Sequence, residues 1–384
     1  MTKSTEIGLE LRFFHNRLRF DYAYYTNDSY NQIMSPRGSF ATGYILRSAN
    51  IGNVLNKGME LSISGTPVET RDWTWETGIN MAGNRGRLEG LLTGQNIMYV
   101  TDVQYSNAQA ASFNDGDFMA IAGWKYLRVP DTYVDADGVT RKTMMVVTNP
   151  DGTTSLKPAG GQLILDANGM PQRDKSEEKF NMGNREPKFT GGWSNMVRYK
   201  NFTFSMLWEF RVGGAVFNGT RMAMDQAGTS VFTANARQQG LTIEGVSATT
   251  DANGNYVFSS TNYQEGGVYN IGGVATSGHN VIANYYNGTY QLDHSHYITD
   301  VNSLRLRSIS LSYDVPSAWL AKTKAIKRAV ITASATNLLL FTNYDGDPEV
   351  AASGAGAGGS SSVGFDYCGV PSTATFSFGV NLTF

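Results

Sequence analysis

The 384-residue chain carries 31 Lys and Arg against 33 Asp and Glu, a formal charge of −2 without a basic block, so nucleic-acid binding has no electrostatic basis. One cysteine, Cys368, excludes an intramolecular disulfide, and four histidines offer no convincing zinc site. With 42 glycines, 12% aromatic residues and 17% charged residues, the composition excludes a disordered chain and fits strands joined by turns.

No apolar h-region precedes Glu6, so no signal peptide is legible, and no run of about 18 apolar residues could form a spanning helix. The chain opens instead on alternation. "EIGLELRF" sets Ile7, Leu9, Leu11 and Phe13 against Glu6, Gly8, Glu10 and Arg12. After a turn at His15-Asn16, "RLRFDYAYY" opposes Leu18, Phe20, Tyr22 and Tyr24 to Arg17, Arg19, Asp21 and Ala23. "GMELSISG", "WTWETGINM" and "NFTFSMLWEFR" repeat the pattern around Leu61, Trp75 and Phe204. Weaker strands are predicted at 187–200, 303–315 and 327–340, and a parity slip between Leu306 and Ile309 predicts a bulge. "FSFGVNLTF" closes the chain with Phe376, Phe378, Val380, Leu382 and Phe384 on one face.

These make about nine strands of roughly 9 to 14 residues, longer than the usual 5 or 6 and long enough to cross a bilayer at a tilt. Their connections alternate in length. Short links fall near 14–17, 67–72 and 200–201, a modest one runs from Pro316 to Arg328, and long ones lie at about 26–55, 85–186, 217–302 and 341–372. Short turns on one side and long loops on the other is the pattern of an outer-membrane barrel. Phe13, Phe14, Trp73, Trp75, Tyr199, Phe202 and Phe384 would gather at the short-turn end, and Tyr24, Tyr25, Trp208 and Phe210 at the other, as aromatic girdles do. The reading is all-β: an antiparallel transmembrane β-barrel with periplasmic turns and extracellular loops. A secreted or surface all-β binding module of adhesin or lectin type, and a passive porin-type channel, are the alternatives. Because first and last strands run the same way, an upward partner before residue 5 is missing, and the chain reads as the C-terminal part of a longer protein.

Several stretches resemble the SusC/RagA family of TonB-dependent outer-membrane transporters of Bacteroidetes. They are "GLELRFFHNRLRFDYAYY", "GNVLNKGMELSISGTPVETRDWTWETGINMAGNRGRL", "GNREPKFTGGWSNMVRYKNFTFSM", "SLRLRSISLSYDVP" and "TNLLLFTNYDGDPEV", in the family's order over nearly the whole chain. The resemblance implies a 22-strand barrel, of which residues 1–384 supply the 9 or 10 C-terminal strands; no plug domain, TonB box or signal peptide is legible. It further implies uptake of oligosaccharide or peptide across the outer membrane, a SusD-like surface lipoprotein as lid, and energy from TonB-ExbB-ExbD through the plug. Ser377, Gly379, Leu382 and Phe384 resemble the β-signal read by the barrel-assembly machinery.

No Ser/His/Asp set or carboxylate pair suggests an enzyme. Trp124, Tyr126, Tyr285 and Tyr286 are the loop aromatics on which a ligand could stack, or which could pack the loops together. Asp166 and Asn168 in "DANGMPQRD" resemble part of a calcium loop, but Met170 replaces the next acidic ligand and turn formation is the simpler reading. The Asp-Gly and Asn-Gly turns at 135, 149 and 251 are read alike. His294 and His296, two apart, would share one face of a strand, and "GAGAGGSSSVG" at 354–364 reads as a loop tip. No cofactor is expected beyond a possible calcium ion.

Overall fold

The computed structural model describes all residues except 35–42, 44–47, 51, 92–93, 100–106, 135–136, 167, 248, 251–255, 258–268, 271–281, 322–324 and 351–362. The nine long strands predicted from alternation are all present. They are β1 (Thr2–Phe13), β2 (Leu18–Ser29), β3 (Asn53–Glu69), β4 (Trp73–Glu89), β5 (Phe189–Tyr199), β6 (Phe202–Asn218), β7 (Ile298–Asp314), β8 (Arg328–Thr342) and β9 (Thr375–Thr383). Each pairs antiparallel with the next in sequence, giving one meander with β1 and β9 at its edges. The sheet is not closed among the described residues, and several strands reach 17 residues, beyond the predicted length.

Register explains why alternation in separate strands makes one surface. Directly paired residues share a face, so apolar side chains line up across neighbours. One row runs Leu11, Phe20, Ile63, Ile79, Trp193, Trp208, Leu306 and Leu339. This face is open: Ile7, Trp73, Phe202, Leu311 and Phe378 are all exposed. The opposite face carries Asp21, Glu60, Asn80, Glu209, Ser310 and Thr332. A soluble sheet hides its apolar face; this one displays it, as a lipid-facing wall does.

At the short-turn end the rings of Trp73 and Tyr199 lie 4.3 Å apart and those of Phe202 and Tyr313 4.6 Å apart, forming the predicted girdle. Links there are short: Phe14, His15 and Asn16 take positive φ to turn the first hairpin, and two residues join β5 to β6. The long connections 30–52, 90–188, 219–297 and 343–374 all leave from the other end.

The predicted bulge occurs where parity slips. Pairing of β7 with β8 shifts between Leu306 and Ser308, leaving Arg307 outside the ladder. A second irregularity falls at Gly213-Gly214 in β6, where φ of 73° and 90° is cheap only for glycine. Beyond it the strand turns inward, and residues 215–218 are buried beneath the loops.

Candidate functional site

The described parts of the long connections pack into a cap with cores of its own. A four-strand sheet orders 180–184, 120–123, 109–113 and 97–99. Two helices follow β6. The first, α1 (Gly219–Ala227), begins where the Asn218 side chain accepts a hydrogen bond from the Arg221 amide. The second, α2 (Val231–Gln239), is capped in the same way by Ser230. Ala110, Ile121, Phe217, Met222, Tyr297 and Phe365, drawn from three connections and the end of β6, make the first cap core. Arg185, 1% exposed, ties them together by donating to the carbonyls of Ala120 at 3.2 Å and Val363 at 2.7 Å. Burial lowers its pKa to about 10.

The cap is fastened to the polar face of the wall by charge. Arg305 of β7, 3% exposed, pairs with Asp347 and, at 3.1 Å, with Glu349. The bulged Arg307 bonds Glu209 Oε2 through Nε at 2.8 Å, Glu349 at 2.8 Å and Asn337 Oδ1 at 3.1 Å. Asp347 also accepts from the amides of Glu349 and Ser372. Burial pushes its carboxyl pKa up, but these bonds and the Arg305 charge outweigh that and hold it below 3.8. Residues 343–350, the "NYDGDPEV" stretch, are thus bent back onto β7, the strand that precedes β8.

The loop aromatics fall in the cap rather than on exposed tips. Tyr285 and Tyr286 lie in a second core with Leu165, Ala236, Ile243 and Ile282. Tyr126, 3% exposed, donates to Thr289 O at 3.0 Å. Burial raises the hydroxyl pKa of Tyr126 and Tyr285, and brings that of Tyr286 to about 12. Trp124 stays partly accessible, with the Arg173 guanidinium 4.2 Å from its ring. The His294 ring also stacks on Trp124, with centroids 6.0 Å apart, so Trp124 is half-buried while the three tyrosines are buried.

His294 and His296 are on a 3-10 turn, His294–Tyr297, and not on a strand. His294 is fully buried, its Nδ1 accepting from the Trp124 amide at 2.7 Å. His296 stacks on Tyr290 at 4.1 Å, and burial lowers its pKa. Asp166 accepts from the amides of Asn168 and Met170 at 2.8 and 2.9 Å, so its carboxylate closes its own turn. Among the described residues no three His, Cys, Asp or Glu side chains are grouped to hold a metal ion. Asp135 and Ala136, residues 251–255 and most of the glycine-rich stretch 354–364 lie outside the described residues. Ser377, Gly379 and Leu382 are on exposed β9, followed by Phe384.

Between the cap and the wall lies a cavity of about 670 Å³, bordered by α1, the start of α2, β8 and the stretch after β8. The ion network forms part of its lining, and neither it nor the cavity was legible beforehand. The only signal was the excess of opposite charge in "LRLR" and "DGDPE".

Residues 1–169 match the family model described as TonB dependent receptor-like, beta-barrel. The whole chain is similar to curated proteins of that kind. It is 25% identical to a TonB-dependent receptor, P3, of Formosa agariphila, covering all of this chain and 34% of that protein. It is 21% identical to the TonB-dependent receptor SusC of Bacteroides thetaiotaomicron, again over the whole chain and 32% of SusC. In structure it resembles the RagAB peptide transporter, with a TM-score of 0.60 at 17% identity over the whole chain and 35% of the other.

Residues 1–169 match the TonB-dependent receptor-like β-barrel family, and the whole chain is similar to such receptors.

It spans about a third of the length of the curated relatives it matches. A barrel of that kind has a displayed apolar face, loops sorted by length and a meander of antiparallel strands, as this chain does. The cap is fixed to the polar face of the sheet by Arg305 and Arg307.

Proposed function

We propose that this chain forms part of the wall and external cap of an outer-membrane receptor that imports a nutrient by TonB-dependent transport. The carrying observation is the pairing of a continuous lipid-compatible face with a charged inner face beneath a folded cap. Sheet edges left unpaired in lipid cost several kcal/mol per backbone group, so β1 and β9 need partner strands. Relatives about three times as long supply room for them, for a plug and for the segment that contacts TonB. In this reading residues 1–384 are the C-terminal part of such a protein. A SusD-like lipoprotein closes over the cap, TonB-ExbB-ExbD provides energy, and Ser377, Gly379, Leu382 and Phe384 direct assembly. The cargo is an oligosaccharide or a peptide, Trp124 being the accessible member of the aromatic set, and the protein is a transporter and not an enzyme.

Membrane fractionation with an uptake assay tests this. The protein is expected in the outer-membrane fraction, and uptake of its ligand is expected to stop when TonB is deleted. Recovery of the native protein in the soluble fraction would overturn the reading.

A further inference from the structure

The inner face of the sheet is mainly polar, with apolar side chains such as Met196 and Leu207 interspersed, and beside the cap it carries an apolar pair. Leu338 and Leu340 of β8 point to the polar side, Leu340 being paired with Arg305. Opposite them, across the cavity of about 670 Å³, stand Met224 of α1 and Val231 and Phe232 of α2. These are not core residues: Met224 is 43%, Val231 73%, Phe232 52% and Leu338 37% exposed. Apolar surface held open on the wet side of a barrel marks a contact site, since burying it against another protein segment would cost nothing sterically.

The polar groups around this cleft are largely committed to the protein itself. Asn218 caps α1 and donates to Asp345 O; Ser230 caps α2; Asp366 accepts from Tyr344 at 2.9 Å and Thr220 at 2.8 Å. Arg305 and Asp347 hold each other. One face of Phe232 is already covered by the Arg221 guanidinium at 4.1 Å. A hydroxyl-rich sugar would find neither an open flat ring nor many free hydrogen-bonding groups here. An aliphatic side chain would find a wall of matching chemistry. The charged lining has three carboxylates, Asp345, Asp347 and Asp366, against two guanidiniums, Arg221 and Arg305, and the Asp345 residue is exposed.

We infer that the cleft between Leu338 and Phe232 binds a peptide, taking an aliphatic side chain between them and a neighbouring ammonium group at Asp345. This deepens the transport reading above and rests on it.

The receptor, isolated from its native outer membrane, is incubated with a defined library of tetrapeptides and with a set of malto- and xylo-oligosaccharides, and retained ligands are identified by native mass spectrometry. Peptides with Leu, Val or Ile beside a Lys or a free amino terminus are expected to be enriched at least tenfold. Leu338→Ser is expected to abolish the aliphatic preference, and Asp345→Asn the preference for the cation, each in a receptor that still shows heat-modifiable migration. Retention of oligosaccharides alone, or an unchanged preference in Leu338→Ser, would overturn the proposal. So would loss of a co-purifying lipoprotein from that variant with peptide retention intact. TonB-dependent uptake of an oligosaccharide with no retained peptide would remove the cleft assignment and leave transport standing. Peptide retention without TonB-dependent uptake would do the reverse.

Discussion

Arg305 and Asp347 meet across 42 residues of chain, the guanidinium rising from the wall and the carboxylate descending from the cap, both almost fully buried. Asp347 is also held by two backbone amides, so the contact fixes backbone as well as side chains. Removing one member of a buried pair leaves the other uncompensated, at a cost of about 3–5 kcal/mol. Arg305→Met is therefore expected to free the 343–350 stretch. Limited proteolysis of the receptor in detergent should cleave near there at least tenfold faster than in wild type, while β1 to β6 stay protected. Equal cleavage would mean that the cap is held by its apolar cores alone.

The same pair gives a pH dependence. Asp347 has its pKa lowered in the folded protein, so its contribution is complete above the ordinary carboxylate value of 3.8 and is lost as pH falls through the lower folded value. Cap protection in hydrogen exchange is expected to be flat from pH 7 to about 5 and to drop below about 3.8. Asp347→Asn should show no such drop at these amides. A loss beginning near pH 6 would point to another group.

The wall was legible in the sequence because each strand carries two chemically different faces, and a period of two has one structural meaning. Even the bulge at Arg307 showed itself as a slip between Leu306 and Ile309. The cap was not legible, because its cores gather residues as distant as Ala110, Phe217 and Phe365, none with a local period. For that reason the sequence left Tyr126, Tyr285 and Tyr286 readable either as ligand-stacking or as loop-packing aromatics, and the structure buries them within the cap. His294 and His296 imitate strand alternation, but Asp293 caps a helical turn there by accepting from the Ser295 amide. Arg305 was visible as a charge; its partner in the next connection depends on a fold-back that no pattern announces.

His294 is expected to hold two cap segments together, because its backbone amide donates to Trp124 O at 3.0 Å while its ring accepts from Trp124 N. His294→Phe keeps the ring but strands a buried amide, at about 1–3 kcal/mol. Hydrogen exchange at 120–126 should accelerate roughly tenfold or more, with the long strands unaffected. An unchanged rate would show that the Trp124 amide finds another acceptor.

Gly191 in β5 permits a close approach on the lipid-facing side. A Cβ there would lie 2.1 Å from Asn80 O and 2.5 Å from the Phe210 ring, which lies over the glycine. The backbone oxygen has no freedom to retreat without parting β4 from β5, so Gly191→Ala should lower the temperature at which the folded band disappears in heat-modifiability gels. Phe210→Ala opens only the ring side and should not rescue it.

Phe376 and Phe378 on β9 are 72% and 74% exposed, and Phe384, after the strand, is 69% exposed. Exposure of this degree is neutral in lipid but costly in water, so under the proposed outer-membrane reading the strand would need to be recognised before insertion. Ser377 and Gly379 keep the other face small, and β9 offers its second edge for pairing. We expect deletion of Phe384 to reduce folded receptor in the outer membrane at least fivefold, measured by surface labelling, while molecules that do assemble bind ligand with unchanged affinity. Normal surface levels would assign Phe384 to the girdle alone; normal levels with weakened binding would place it in the ligand path.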